Sequence, residues 1–137
     1  MTKVKFLDAN VVLYLHDAVI SLFGGKPGLR DAGLLESAVL RASNKLAYAD
    51  SELLDIFDLA AAYAFGLAKK HAFNDGNKRT GWAVAVAFLK LNGVEVEAPR
   101  GVGVANMVNL ATGALSEDGF ATWLRLLAQP SADDADL

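Results

Sequence analysis

The sequence predicts an all-α fold, a compact bundle of about six helices, and three observations carry that prediction. Apolar residues recur at helical spacing along nearly all of the 137 residues. Period-two alternation is brief, at Val94-Glu95-Val96-Glu97. Two internal segments are apolar on every side, the pattern of helices at the middle of a bundle.

The first helix starts after Asp8, carries Val11, Val12, Leu15, Val19, Leu22 and Phe23 as its stripe, and stops at Gly24-Gly25. Lys26-Pro27-Gly28 forms a loop. Asp31 opens the second helix, because its carboxylate can accept from free backbone N–H groups; Leu34, Leu35, Ala38 and Val39 turn inward, and the pattern fades near Ser43-Asn44. Ser51 is positioned to cap a third helix over 52–70, whose middle, Leu59-Ala60-Ala61-Ala62-Tyr63-Ala64-Phe65, is apolar all round. A fourth begins at Gly76 or Asn77 and runs through Trp82, Val84, Val86, Phe88 and Leu89 to Asn92-Gly93. The third and fourth make a central antiparallel pair. Shorter helices follow over 104–115 and 117–128, the latter capped by Ser116 with Phe120, Trp123, Leu124 and Leu127 inward.

Length fits one domain over 1–129, since a domain spans roughly 100 to 200 residues, and the acidic stretch 130–137 reads as a frayed tail. With 53% hydrophobic and 21% charged residues the chain can build a core, which excludes bulk disorder. The absence of cysteine excludes disulfides, a thiol nucleophile and thiolate metal sites, and fits a reducing cytoplasm. A net charge of −3 argues against a general nucleic-acid binder, so any anion site is local. The uncharged run 80–89 is about half of the roughly 20 residues a membrane helix needs, and no segment reads as an export signal.

Chemistry concentrates in the loop between the two central helices, His71-Ala72-Phe73-Asn74-Asp75-Gly76-Asn77-Lys78-Arg79. Four of the 13 basic residues, Lys69, Lys70, Lys78 and Arg79, lie between positions 69 and 79 against one acid, Asp75. The start of the fourth helix offers unpaired N–H groups from Gly76, Asn77 and Lys78 at the positive end of the helix dipole, a cradle for phosphate. Gly76 lets the backbone approach closely. Lys78 and Arg79 add charge, and Arg79 can bind phosphate oxygens bidentately. Asp75 would repel a bare phosphate and so points to a bridging Mg²⁺ held by one carboxylate and phosphate oxygens. His71, just upstream, could take a proton from an incoming hydroxyl. Phe73 turns inward and anchors the loop.

Each residue alone has a plainer reading. A histidine at a helix end can be a cap, Asp75 can be an N-cap, and Lys69 and Lys70 can be solvated charges. His16 reads as a satisfied packing histidine, and Trp82, Trp123, Tyr63 and Phe88 as core. Gly24-Gly25-Lys26 lacks the spacing of a phosphate-binding loop. The combination on one loop outweighs these.

The stretch from His71 to Thr80 resembles the signature of the Fic/Doc superfamily, His-x-Phe-x-Asp/Glu-Gly-Asn-Gly-Arg-x-x-Arg, and more closely its Doc branch. The likeness extends through Gly28-Leu29-Arg30-Asp31, Leu34-Leu35-Glu36-Ser37-Ala38, Ala60-Ala61-Ala62-Tyr63-Ala64-Phe65-Gly66 and Phe88-Leu89-Lys90-Leu91-Asn92-Gly93. The resemblance implies a toxin kinase that uses ATP and Mg²⁺ to phosphorylate a threonine of elongation factor Tu, stops translation, and is restrained by a separate Phd-like antitoxin. It implies His71 as general base, Asp75 at the metal, and Gly76, Asn77, Lys78 and Arg79 at the phosphates. Lys78 stands where AMP-transferring Fic enzymes usually have Gly, and Trp82 where they have a second Arg, which disfavours AMP transfer. The alternatives are AMP transfer to a protein hydroxyl and a non-enzymatic module that docks an acidic partner through the basic loop.

Overall fold

The computed structural model describes residues 3–49 and 51–129. Among them are six α-helices: α1 (Ala9–Phe23), α2 (Ala32–Tyr48), α3 (Ile56–Lys70), α4 (Asn77–Leu91), α5 (Val102–Thr112) and α6 (Glu117–Leu127). The expected all-α class is the observed one. No strand occurs among the described residues; Val96 of the short alternating stretch forms an isolated antiparallel bridge with Ala128. The acidic stretch 130–137, expected to fray, lies outside the described residues.

The expected caps Asp31 and Ser116 form, and Asp8, after which the first helix is expected to start, caps it in the same way. Asp8 Oδ1 accepts from Val11 N–H at 3.1 Å, Asp31 Oδ1 from Leu34 N–H at 3.0 Å, and Ser116 Oγ from Gly119 N–H at 2.9 Å. The start of α3 is a correction. Residues 51–53 make a 3₁₀ turn, and the helix begins at Ile56 behind Asp55. Asp55 accepts from Phe57 and Asp58 N–H, while Asp58 reaches back to Asp55 N–H at 2.9 Å. This reciprocal box satisfies donors from both sides. Arg125 of α6 then brackets Asp55 and Asp58.

α2 does not fade near Ser43-Asn44 but continues to Tyr48. Beyond that point Leu46 packs against the core and Lys45 is tied to Glu117, so tertiary contacts override the weak local propensity. α5 starts two residues earlier than expected, at Val102. The inward stripe of α1 is Val12, His16 and Val19, whereas Val11, Leu22 and Phe23 are exposed.

α3 is the central element. Nine of its residues are buried, and it packs against α2, α4, α5 and α6. α4 is less enclosed than its apolar sequence implies, burying Thr80, Gly81, Val84, Ala85, Phe88 and Leu89 and leaving Trp82 half-buried. Trp82 packs against Trp123 with ring centroids 5.4 Å apart, and Gly103 of α5 makes room for it, since a Cβ there would lie 2.3 Å from the indole. No described helix is long and apolar enough to cross a membrane.

Candidate active site

The loop between α3 and α4 begins with a strained residue. His71 is the C-cap of α3 at φ 52, ψ 51, and among the described residues it is the one non-glycine with positive φ. That conformation costs an L-residue roughly 1 kcal/mol. Arg30 offsets it by donating from Nε to the His71 carbonyl at 2.8 Å and from Nη2 to the Lys70 carbonyl at 3.3 Å, closing the carbonyl end of α3.

The segment after α1 clasps the loop along its length. Leu29 bridges Phe73, Arg30 and Asp31 N–H both donate to the Ala72 carbonyl, and Asn74 N–H donates to the Gly28 carbonyl at 3.1 Å. Phe73 is buried, as its apolar character requires, and stacks face to face on His16 at 3.7 Å. His16 Nε2 in turn lies 2.8 Å from the Asp75 carbonyl. A carbonyl only accepts, so Nε2 carries the proton.

Asn77 holds the loop from the other side. Its Oδ1 accepts from Phe73 N–H and its Nδ2 donates to the Phe73 carbonyl, both at 3.0 Å. The side chain is therefore a loop brace, and what Asn77 can offer a phosphate is its backbone N–H. Gly76 is the N-cap of α4 at φ 75, with no side-chain cap on the helix start. A Cβ at Gly76 would lie 3.2 Å from Ile20 Cδ1. The first intrahelical bond runs from Thr80 N–H to the Gly76 carbonyl, so the amides of Asn77, Lys78 and Arg79 have no partner within the helix, whereas the Gly76 amide, expected to be free, donates to Asp75 Oδ1.

Asp75 Oδ2 accepts from Lys26 N–H at 3.1 Å and Oδ1 from Gly76 N–H at 2.9 Å. These two amides hold its carboxyl below the usual carboxylate range and keep it ionised. Each oxygen retains a lone pair, and the residue is exposed. Among the described residues no group of three or more His, Asp or Glu could hold a metal. Asp75 fits a cation that takes most of its shell from water and phosphate, the habit of Mg²⁺.

His71, residues 74–79 and Val104 line one cavity of about 310 Å³. All six residues singled out from sequence face it together. Arg79 keeps its guanidinium over the exposed Phe23 ring at 4.6 Å, a cation–π contact that ties the end of α1 to the start of α4. Sequence reasoning missed Arg30, although it stood in the stretch that resembles the family, and it missed the hydrogen bond from His16.

Fold and site define a class. A model of the Fic/DOC family matches residues 6–89, and the chain belongs to that family. It is 38% identical over 125 residues to "Protein kinase doc" of Escherichia phage P1, covering 90% of this chain and 95% of that one. It is also 42% identical over 94 residues to "Toxin Doc" of Mycolicibacterium smegmatis, 69% of each chain.

Proposed function

We propose that this chain is a Doc-type toxin of a toxin–antitoxin system, a cytoplasmic protein phosphotransferase that moves the γ-phosphate of ATP to a threonine of elongation factor Tu and halts translation. The observation that carries the proposal is that the His71 imidazole and the unpartnered first-turn amides of α4 line one cavity. Similarity to a protein named a kinase favours phosphate over AMP as the group moved.

In this mechanism the anionic phosphate oxygens accept from the amides of Asn77, Lys78 and Arg79, with the side chains of Lys78 and Arg79 countering charge. His71 accepts the proton of the threonine hydroxyl as its oxygen forms a bond to the γ-phosphorus. The bond from that phosphorus to the β–γ bridging oxygen breaks, and ADP leaves with the electron pair. Asp75 would hold Mg²⁺, which when bound neutralises charge on the phosphate oxygens. Restraint falls to a separate Phd-like antitoxin. Trp82 stands where AMP-transferring relatives carry the second arginine, and its indole packs against Gly103 of α5 and Trp123.

The test is transfer from ATP labelled at the γ- or the α-position, in parallel, followed by intact mass of the modified protein. The proposal expects γ label on a threonine and none from His71→Ala, which still binds ATP. Retention of α label would mean AMP transfer and overturn it.

A further inference from the structure

A second recess lies on the neighbouring face, between α2, the end of α3 and the start of α6. Its volume is about 520 Å³, larger than that of the candidate active site, and it is lined by Ser37, Arg41, Asn44, Lys45, Lys70 and Glu117. Three cations face one carboxylate, a local surplus of positive charge in a chain whose net charge is −3.

Glu117 organises the recess. Its Oε1 accepts from Arg41 Nε at 3.2 Å and Nη2 at 2.6 Å, and its Oε2 from Lys45 Nζ at 2.5 Å. Arg41 is further fixed over the Phe65 ring at 4.4 Å. One carboxylate thus holds two cations side by side and neutralises only one of them. The pair is pre-ordered, so a ligand that meets it freezes little further side-chain motion. Lys70 Nζ, Ser37 Oγ and the Asn44 amide make no hydrogen bond within the described chain, leaving donors of different length around the rim.

Lys70 also fixes the direction of the recess. It is the last residue of α3 and lines this recess, while the next residue, His71, lines the candidate active site. We propose that the recess docks an acidic segment of the protein acceptor, placing carboxylates of that segment beside Arg41, Lys45 and Lys70 while its hydroxyl reaches His71. Assignment of the segment to the acceptor rests on the transfer reading above; the recess as a binding site does not. Charge complementarity selects carboxylates on a short segment over a nucleic acid, because a duplex presents phosphates continuously and would meet an overall acidic chain beyond these three cations.

The experiment uses the full chain and a fluorescent oligoglutamate peptide, read by anisotropy, with duplex DNA and inorganic phosphate as competitors. Saturable, salt-sensitive binding is expected, weakened roughly tenfold by Lys70→Glu and by Ser37→Asp, both exposed positions, and unchanged by Lys90→Glu at the far end of α4. In the labelling assay with the acceptor purified from extract, the first two variants raise KM for the acceptor by a similar factor and leave kcat, whereas His71→Ala lowers kcat. Absence of peptide binding, equal binding by all variants, or displacement of the peptide by duplex DNA or phosphate at equal concentration overturns the proposal. Peptide binding without any label transfer by the unmodified chain overturns the transfer reading and leaves the recess as an acidic-segment site.

Discussion

The imidazole of His16 donates to the carbonyl of Asp75 at 2.8 Å while lying flat against Phe73, so one buried side chain of α1 fixes both ends of the loop's central turn. Removing it strands a carbonyl and opens a void beside Phe73. His16→Ala should cost about 3 kcal/mol in urea unfolding, combining the lost hydrogen bond with the lost packing. Hydrogen exchange at the amides of residues 73–77 should quicken in step. A loss below about 1 kcal/mol would show that the loop holds its shape without α1.

His71 combines an unfavourable backbone with the side chain that the proposed transfer uses as its base. His71→Gly removes the left-handed penalty and should raise stability by up to about 1 kcal/mol, while transfer falls by roughly 10²–10⁴. Thermal melting and labelling on the same preparation check this. A variant both less stable and equally active would sink the assignment.

Gly76→Ala meets φ 75 and the Ile20 methyl 3.2 Å away. The substitution should destabilise by roughly 1–2 kcal/mol and weaken ATP binding by calorimetry, because the amides of the following turn must shift. Unchanged affinity would place the phosphates elsewhere.

Tyr63 is buried, and its hydroxyl accepts from Leu7 N–H at 2.9 Å and donates to the Leu7 carbonyl at 3.1 Å. Burial pushes the phenol up to about 12, so it stays protonated. Tyr63→Phe leaves both backbone groups unpaired and should cost about 1–3 kcal/mol without touching ATP affinity.

Acid should loosen the packing around α6. Burial raises the Glu117 carboxyl, but hydrogen bonds from Lys45 and Arg41 outweigh it and hold the group below its ordinary value; at Asp55 burial is likewise outweighed by Arg125 and Asp58. For a depressed carboxylate, stability is full above the unfolded-state value and is lost as pH falls through the folded one. Urea midpoints should therefore be flat near neutrality and drop below about pH 4, and Glu117→Gln should lower the neutral value by roughly 1–3 kcal/mol while flattening the acid limb. An identical acid limb in the variant would remove Glu117 from the account.

Local rules made much of this protein legible from its residues. Apolar spacing marked the helices, Asp8, Asp31 and Ser116 declared their starts, and the run from His71 to Arg79 marked out the candidate site, because periodicity and capping depend on neighbours within one turn. Packing decided what neighbours cannot. It chose Val12, His16 and Val19 over Val11, Leu22 and Phe23 as the inner face of α1, since several faces of that helix are apolar enough to be buried. It turned the Asn77 amide onto Phe73, set the Asp75 carboxylate against Lys26 N–H, and brought Glu117 to Arg41 and Lys45 across more than 70 residues of chain. Hydrogen bonds between distant segments depend on how helices cross, and that geometry is settled only when the whole core closes.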